Sequence, residues 1–175
     1  MSLRVWISSS AGALALLVAA SAGAQDVEIT PGGAMVSASS NDGNVPANAV
    51  DNNLATRWSG FGDGQWLTLD LGTAQVMSYV KIAWYQGNTR RSVFDLQTSN
   101  DQVSWAPLLT GVQSNGTTTS EETFTFGTVT ARYLRYLGHG NLHTDVAKRP
   151  WNSVTEISVF RTAGTPPTPT PEPAG

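Results

Sequence analysis

The chain has 175 residues, with thirteen Asp and Glu against ten Lys and Arg, and it contains no cysteine. This length suits one ordinary domain and not two large ones. The mildly acidic balance argues against nucleic acid as a partner, because nucleic-acid binding requires clustered positive charge. Without disulfides, a small secreted domain needs a sizeable core or a bound metal for its stability.

The first 24 residues have the layout of a secretory signal peptide. Met1 to Arg4 form a short basic start, residues 11–20 are almost wholly apolar, and small residues follow as far as Ala24. We expect cleavage after Ala24, which makes the mature protein secreted or periplasmic. The apolar run is too short to cross a bilayer core of about 30 Å, so we expect no membrane insertion. An N-terminal anchor that is never cleaved is the alternative.

Residues 25–33 are interpreted as a short lead-in, and the segment that follows has a β pattern up to residue 161. Apolar and polar residues alternate there in short runs separated by Gly, Asn, Asp and Ser, which is typical of antiparallel strands. The runs are 65–71, 79–84, 94–96, 124–126, 133–137 and 154–160, with turns predicted at 99–101, 113–116 and 138–141. No long helical stripe appears, so the pattern predicts an all-β sandwich or barrel of about eight strands.

Residues 162–175 read TAGTPPTPTPEPAG and contain five prolines but no large apolar residue. This composition predicts an extended and fairly stiff Thr/Pro linker. Linkers of this kind tether modules in secreted multidomain enzymes, so one interpretation is a catalytic domain beyond residue 175. A frayed tail is the other interpretation.

Residues 48–58 (NAVDNNLATRW) are rich in oxygen donors and turn formers. Calcium takes six to eight hard oxygen ligands, which often include the backbone carbonyls of a tight loop. Asp51 offers a carboxylate and Thr56 a hydroxyl. The segment is not an EF-hand, because its sixth position is Thr56 where that motif requires glycine. An ordinary Asx-turn remains the alternative.

Two further segments, 84–91 and 138–152, gather aromatic, His, Arg and Asn residues in expected loops at strand ends. Sugars present a weakly apolar face to aromatic rings and a rim of hydroxyl groups to polar side chains, and Arg pairs with a uronate carboxylate. Loops collect at the two ends of an antiparallel sandwich, so these side chains can converge. The candidate carbohydrate-binding residues are Tyr85, Arg90, Arg91, His139, Asn141, His143 and Trp151.

The other tryptophans are expected to be structural. Trp84 alternates with Val80 and Ile82, which favours the core. Trp58 and Trp66 are interpreted in the same way, whereas Trp151 follows a proline and is open to either role.

The sequence offers little that resembles a catalytic motif, and we expect a non-catalytic domain. The chain has no G-x-S-x-G elbow, no thiol and no phosphate loop. His139 and His143 are four residues apart, but Gly140 occupies the position where the zinc-protease pattern requires Glu on a helix.

Six motifs occur in an order that resembles the coagulation factor 5/8 type C (discoidin-like) domains, and most closely the bacterial family 32 carbohydrate-binding modules. The resemblance covers residues 34–161, and its motifs are VDNNLATRW, GQWLTLDLG, VKIAW, FDLQTSNDQVSW, ARYLRYLGHGN and WNSVTEISVF. It implies a galactose-binding-domain-like jelly roll of about eight antiparallel strands with one structural calcium. The implied ligands are the side chains of Asp51, Thr56 and Glu156 and the carbonyls of Asn48, Asn53 and Thr155.

We expect a monomer, secreted because of the signal peptide, and the resemblance implies a module that binds an extracellular polysaccharide and targets a linked catalytic domain. The relatives that look most similar accompany polysaccharide lyases, particularly those acting on alginate, so a uronate polymer such as alginate is one candidate ligand and a neutral polysaccharide is the other. Two alternatives stay open. One is a protein- or cell-surface-adhesion module of the same fold, and the other is the N-terminal fragment of a polysaccharide lyase or glycosidase.

Overall fold

The computed structural model describes residues 25–164. The expected signal peptide, and residues 165–175 of the expected linker, lie outside the described residues. Within the described range the chain forms short 3-10 turns at Gly33–Met35, Pro46–Val50 and Val146–Lys148. No helix in residues 25–164 is long and apolar enough to cross a membrane.

Eight strands make up the described part of the fold. They are β1 (Val27–Glu28), β2 (Val36–Ala38), β3 (Trp58–Phe61), β4 (Gln65–Trp84), β5 (Ser92–Ser99), β6 (Ala106–Gln113), β7 (Glu122–Asn141) and β8 (Trp151–Arg161). All their pairings are antiparallel. The order is β1-β8-β4-β7-β5-β6, with β2 on β4 and β3 on β8. The all-β fold predicted from the alternating runs is confirmed.

Strand β4 joins two of the predicted runs into one strand of 20 residues. Its first half pairs with β2 and its second half with β8, while β7 follows it along most of its length. Register shifts occur between Asp70 and Gln75 and between Met77 and Tyr79. Irregularities of this kind bend a strand and increase its twist, which lets one strand serve both halves of the structure.

The turn predicted at residues 138–141 is wrong, because these residues are the last part of β7. Gly138 lies opposite Gln65, and Asn141 lies opposite Ser92. Gly140 has φ +78°, and a Cβ added there would collide with the carbonyl oxygen of Arg149. The glycine therefore lets the 142–150 loop lie close against the strand rather than turning the chain.

The core is built around large aromatic side chains. Trp58, Phe94 and Tyr136 are fully buried, and Trp84 is 1% exposed. The Trp84 indole donates a hydrogen bond to the Tyr136 hydroxyl at 3.3 Å. The structural interpretation of Trp58 and Trp84 is therefore confirmed.

The two ends of the described chain meet at one end of the domain. Val27 lies opposite Arg161 in the sheet, within the segment interpreted as a lead-in. Trp151 is at the other end of β8, where β3 pairs with it. The chain leaves β4 at the same end as Trp151, because Trp84 lies opposite Val154.

Candidate functional site

A cleft of about 220 Å³ opens at this second end of the domain. The ends of β3, β4 and β8 and the loops beside them form its walls. Its lining residues are Asp42, Arg57, Ser59, Tyr85, Arg90, Lys148, Trp151 and Ser153.

Two serines on paired strands form the floor of the cleft. Ser59 lies opposite Ser153, and their hydroxyl oxygens are 2.9 Å apart. Side chains alternate along a strand, so the burial of Trp58 in the core directs Ser59 outward. The Arg57 Nε donates to the Ser59 hydroxyl at 3.0 Å, which connects the floor to a cationic wall.

The cationic wall is formed by two arginines that stack on one tyrosine. The guanidinium carbons of Arg57 and Arg90 lie 4.1 and 5.1 Å from the centre of the Tyr85 ring. Neither arginine forms an ion pair with a carboxylate in residues 25–164, and the buried Nε of Arg90 has no hydrogen-bond acceptor there. Burial and the positive charge of Arg57 lower the pKa of Arg90. The wall is therefore rich in unpaired positive charge.

The remaining charges of the cleft are one lysine and one aspartate. The Lys148 Nζ is 3.6 Å from a carboxylate oxygen of Asp145, in an exposed pair. Burial alone would raise the pKa of Asp42, but hydrogen bonds from Asn44 and the charge of Arg57 lower it, so Asp42 is ionised. Three cationic side chains thus face one carboxylate, which favours an anionic ligand.

A tight turn after β4 brings two of the candidate binding residues, Tyr85 and Arg90, to the cleft. Gln86 adopts a positive φ of 53°, and its carbonyl accepts hydrogen bonds from the amides of Thr89 and Arg90. This turn returns Arg90 to the ring of Tyr85. Trp151 approaches from the start of β8, so Tyr85, Arg90 and Trp151 converge as the sequence predicted.

Arg91 and His139 lie outside the cleft. The Arg91 Nε donates to the carbonyl of Ser114 at 3.0 Å, which turns this side chain toward the loop after β6. His139 lies between two carboxylates, with Nδ1 2.7 Å from Asp63 and Nε2 3.3 Å from Asp95. Burial alone would lower the pKa of His139, but the hydrogen bonds and charges of both aspartates raise it.

Asn141 and His143 also lie outside the lining of the cleft and hold the 142–150 loop. Asn141 is 4% exposed, and its amide nitrogen donates to the carbonyls of Lys148 and Trp151. The Nδ1 of His143 accepts a hydrogen bond from the amide of Asp145. These residues position Lys148 and Trp151 and do not line the cleft themselves.

Five of the lining residues are not among the candidates predicted from the sequence: Asp42, Arg57, Ser59, Lys148 and Ser153. Arg57 and Ser59 carried a signal, because the alternation that buries Trp58 places its neighbours on the opposite face. Arg57 was nevertheless not selected, because it falls within residues 48–58, which the sequence pattern assigns to a calcium loop.

The residues predicted to bind calcium form a second, separate cluster. The Thr56 hydroxyl lies 2.7 Å from an Asp51 carboxylate oxygen and 2.9 Å from the carbonyl oxygen of Asn53. Glu156 is 4% exposed, and its carboxylate accepts a hydrogen bond from the amide of Asn52. Burial, together with the negative charges of Asp51 and Glu121, raises the pKa of Glu156 to about 7, although hydrogen bonds from the amides of Asn52 and Asn53 oppose the shift.

This donor set fits calcium better than a transition metal. No group of three or more His, Cys, Asp or Glu side chains in the described residues is arranged to hold a metal. Two carboxylates, a hydroxyl and loop carbonyls are instead the hard oxygen donors that calcium takes. The buried Glu156 carboxylate is costly without a neighbouring cation. The other expected contributors are close in the chain: Asn48, whose amide donates to the carbonyl of Arg57, and the buried Thr155.

An antiparallel β-sandwich with a polar and aromatic cleft between its end loops is the arrangement of a ligand-binding module. A model of the F5/8 type C domain family matches residues 35–157. The chain therefore belongs to that family, and the resemblance drawn from the six motifs is confirmed.

Several solved structures are similar to this chain. The family 32 carbohydrate-binding module of AlyQ, in complex with 4,5-unsaturated mannuronic acid, is 42% identical, with 73% of this chain and 94% of that chain covered and a TM-score of 0.67. Truncated AlyQ, with its binding module and alginate lyase domains, is 37% identical over 81% of this chain and 35% of that chain, with a TM-score of 0.72.

A pectin-binding carbohydrate-binding module is 32% identical, with 82% of this chain and 96% of that chain covered and a TM-score of 0.67. No curated protein matches the chain. Each of these structures contains a carbohydrate-binding module, which agrees with the general class predicted from the sequence.

Proposed function

We propose that this domain is a non-catalytic carbohydrate-binding module for an acidic polysaccharide, with uronate units as its ligand. The observation that carries the proposal is the pair of arginines on Tyr85 that have no carboxylate partner in the described residues. A guanidinium pairs with a planar carboxylate through two parallel hydrogen bonds, and a uronate supplies that group.

The rest of the cleft suits the remainder of a sugar ring. Trp151 offers an apolar surface, while Ser59 and Ser153 donate and accept hydrogen bonds on the floor. The carboxylate of Asp42 accepts hydrogen bonds from hydroxyl groups and repels a second acidic group at its own side of the cleft. The complex of the AlyQ module with an unsaturated mannuronic acid supports an acidic sugar as the ligand.

The proposal includes a targeting role for a linked enzyme. The AlyQ structure holds a binding module and an alginate lyase domain in one chain, and the Thr/Pro composition of residues 162–175 is that of a linker. Export after cleavage behind Ala24 would bring the module to extracellular polymer.

We further propose calcium at the cluster of Asp51, Asn53, Thr56 and Glu156. When bound, the ion supplies positive charge to the buried carboxylate and holds the loop 51–56 against β8. Asn52 adopts φ 58° in this loop and donates its amide to Glu156. The proposed role of the ion is structural: by fixing the loop 51–56, it would hold in place the cleft residues Arg57 and Ser59, which follow this loop in the chain.

Calorimetric titration of the mature domain with alginate, pectin and neutral galactan tests the proposed function. We expect weak binding to the two acidic polymers, in the ~µM to mM range of small and wet contacts. Binding to galactan alone would overturn the acidic specificity. A folded domain that binds none of the polymers but adheres to protein-coated surfaces would support the adhesion alternative instead.

A further inference from the structure

The face of the sheet that forms the cleft floor continues beyond the cleft. Ser59 lies opposite Ser153, and two residues further along, Phe61 lies opposite Trp151. Residues two apart on a strand point to the same face, at a spacing of about 6.6–6.8 Å. Phe61 is therefore on the cleft side of β3, one step outward from the serine floor.

Phe61 is unusually exposed for a phenylalanine, at 59%, although it adjoins the half-buried Trp151. Its ring centre lies 5.1 Å from that of Trp151, with an angle of 73° between the ring planes. Edge-to-face contact uses only the rim of one ring, so most of the Phe61 side chain is open to solvent. The ring thus extends the apolar surface of Trp151 outside the cleft.

The backbone next to Phe61 is held firmly. The amide of Gly62 donates to the carbonyl of Pro150 at 2.9 Å, and the side chain of Asn152 donates to the carbonyl of Gly62 at 2.8 Å. An aromatic ring that is fixed before binding loses little entropy when a ligand stacks on it. Phe61 is therefore a preorganised platform rather than a loose surface residue.

The size of the cleft indicates what would cover this platform. At about 220 Å³ the cleft is smaller than the usual small-molecule pocket of roughly 300–1,000 Å³, so it accommodates little more than one sugar unit. The next unit of a bound chain must lie outside the cleft, and the Trp151 side leads directly to Phe61.

Building on the proposed function, we propose that Phe61 forms a second subsite, on which the sugar unit adjacent to the one in the cleft stacks its apolar face. The module then recognises at least two consecutive units of a polysaccharide. Trp151 is shared by both subsites, and the arginines contribute to the inner one alone.

Titrations with uronate ligands of increasing length test this subsite. The wild type, Phe61→Ala, Phe61→Leu and the control Val103→Ala are each titrated with mannuronic acid and with its di- and tetrasaccharides. Val103 is a matched control because it is 82% exposed and lies in the turn between β5 and β6. Thermal melting establishes that every variant is folded.

We expect the wild type and Val103→Ala to bind the disaccharide more tightly than the monosaccharide. Phe61→Ala should lose roughly 2- to 12-fold in disaccharide affinity, which converts from about 0.5–1.5 kcal/mol for one aromatic contact. Its affinity for the monosaccharide should be unchanged, and Phe61→Leu should fall between.

Two results would overturn the subsite while leaving the proposed function intact: equal wild-type affinity for all lengths, or an unchanged length dependence in Phe61→Ala. Absence of wild-type binding to every uronate ligand, long or short, would instead overturn the proposed function and the subsite with it.

Discussion

Replacing Arg90 by alanine should weaken uronate binding strongly, whereas replacing its neighbour Arg91 should not. The two residues are adjacent in sequence and chemically identical, but only Arg90 stacks on Tyr85 and lines the cleft. A hydrogen bond to a charged group contributes about 1.5–3 kcal/mol. At 1.4 kcal/mol per factor of ten, this corresponds to a loss of roughly 10- to 140-fold for Arg90→Ala.

Isothermal titration calorimetry with an alginate oligosaccharide measures this loss directly. Arg91→Ala is the matched control and should stay within about twofold of the wild type, because exposed charges away from a contact contribute little. Arg90→Lys keeps the charge but loses the planar fork, so its affinity should lie between those of the wild type and the alanine variant. Raising the salt concentration should weaken wild-type binding more than Arg90→Ala binding, since one charge contact is already absent.

An equal loss of affinity in Arg91→Ala and Arg90→Ala would contradict the assignment of Arg90 as the uronate-binding arginine. That result would place the acidic group of the ligand on the Ser114 side of the loop. An unaffected Arg90→Ala variant would likewise show that the unpaired guanidinium is not the recognition group.

Three further outcomes are expected. Calcium should raise the melting temperature, because it binds the folded loop and not the unfolded chain. Asp51→Ala and Glu156→Ala should each abolish this increase. A chelator that leaves the melting temperature unchanged would contradict the calcium site. Because the pKa of His139 is raised, its positive charge stabilises the fold below about pH 6.5, and this contribution is lost as the pH rises through the folded-state pKa. His139→Gln should therefore flatten that part of the profile of unfolding free energy against pH. An unchanged profile would contradict the stabilising role of the charge. Tyr136→Phe leaves the buried Trp84 indole without an acceptor and should cost about 1–3 kcal/mol in chemical denaturation; a neutral variant would mean that the indole is satisfied otherwise.

The strand pattern and the core could be predicted from the sequence because both are local in origin. Alternation over a few residues identified the runs in β4, β7 and β8 and placed Trp84 inside. The continuation of β4 through residues 72–78 was missed, since its bends depend on pairing with a distant strand and not on a local apolar run.

The cleft could be predicted only in part, for a related reason. Tyr85, Arg90 and Trp151 were found because their chemistry and their positions at strand ends both suit a sugar. The contact between Ser59 and Ser153 spans 94 positions in the chain, and no local signal joins them. The difference between Arg90 and Arg91 arises from a single tight turn, which composition alone does not reveal.

The position of the chain ends on the fold has a consequence for any enzyme joined to this module. Strand β8 has 11 residues, so Trp151 and Arg161 are separated by about 33 Å at roughly 3.3 Å per residue. The expected linker would leave from the end of the domain that faces away from the anchored sugar. A catalytic domain attached through this linker would then cleave glycosidic bonds at a distance from the sugar unit bound by the module. Binding and cleavage would then involve different sugar units, so the enzyme could degrade the surrounding polymer while its binding module stays attached.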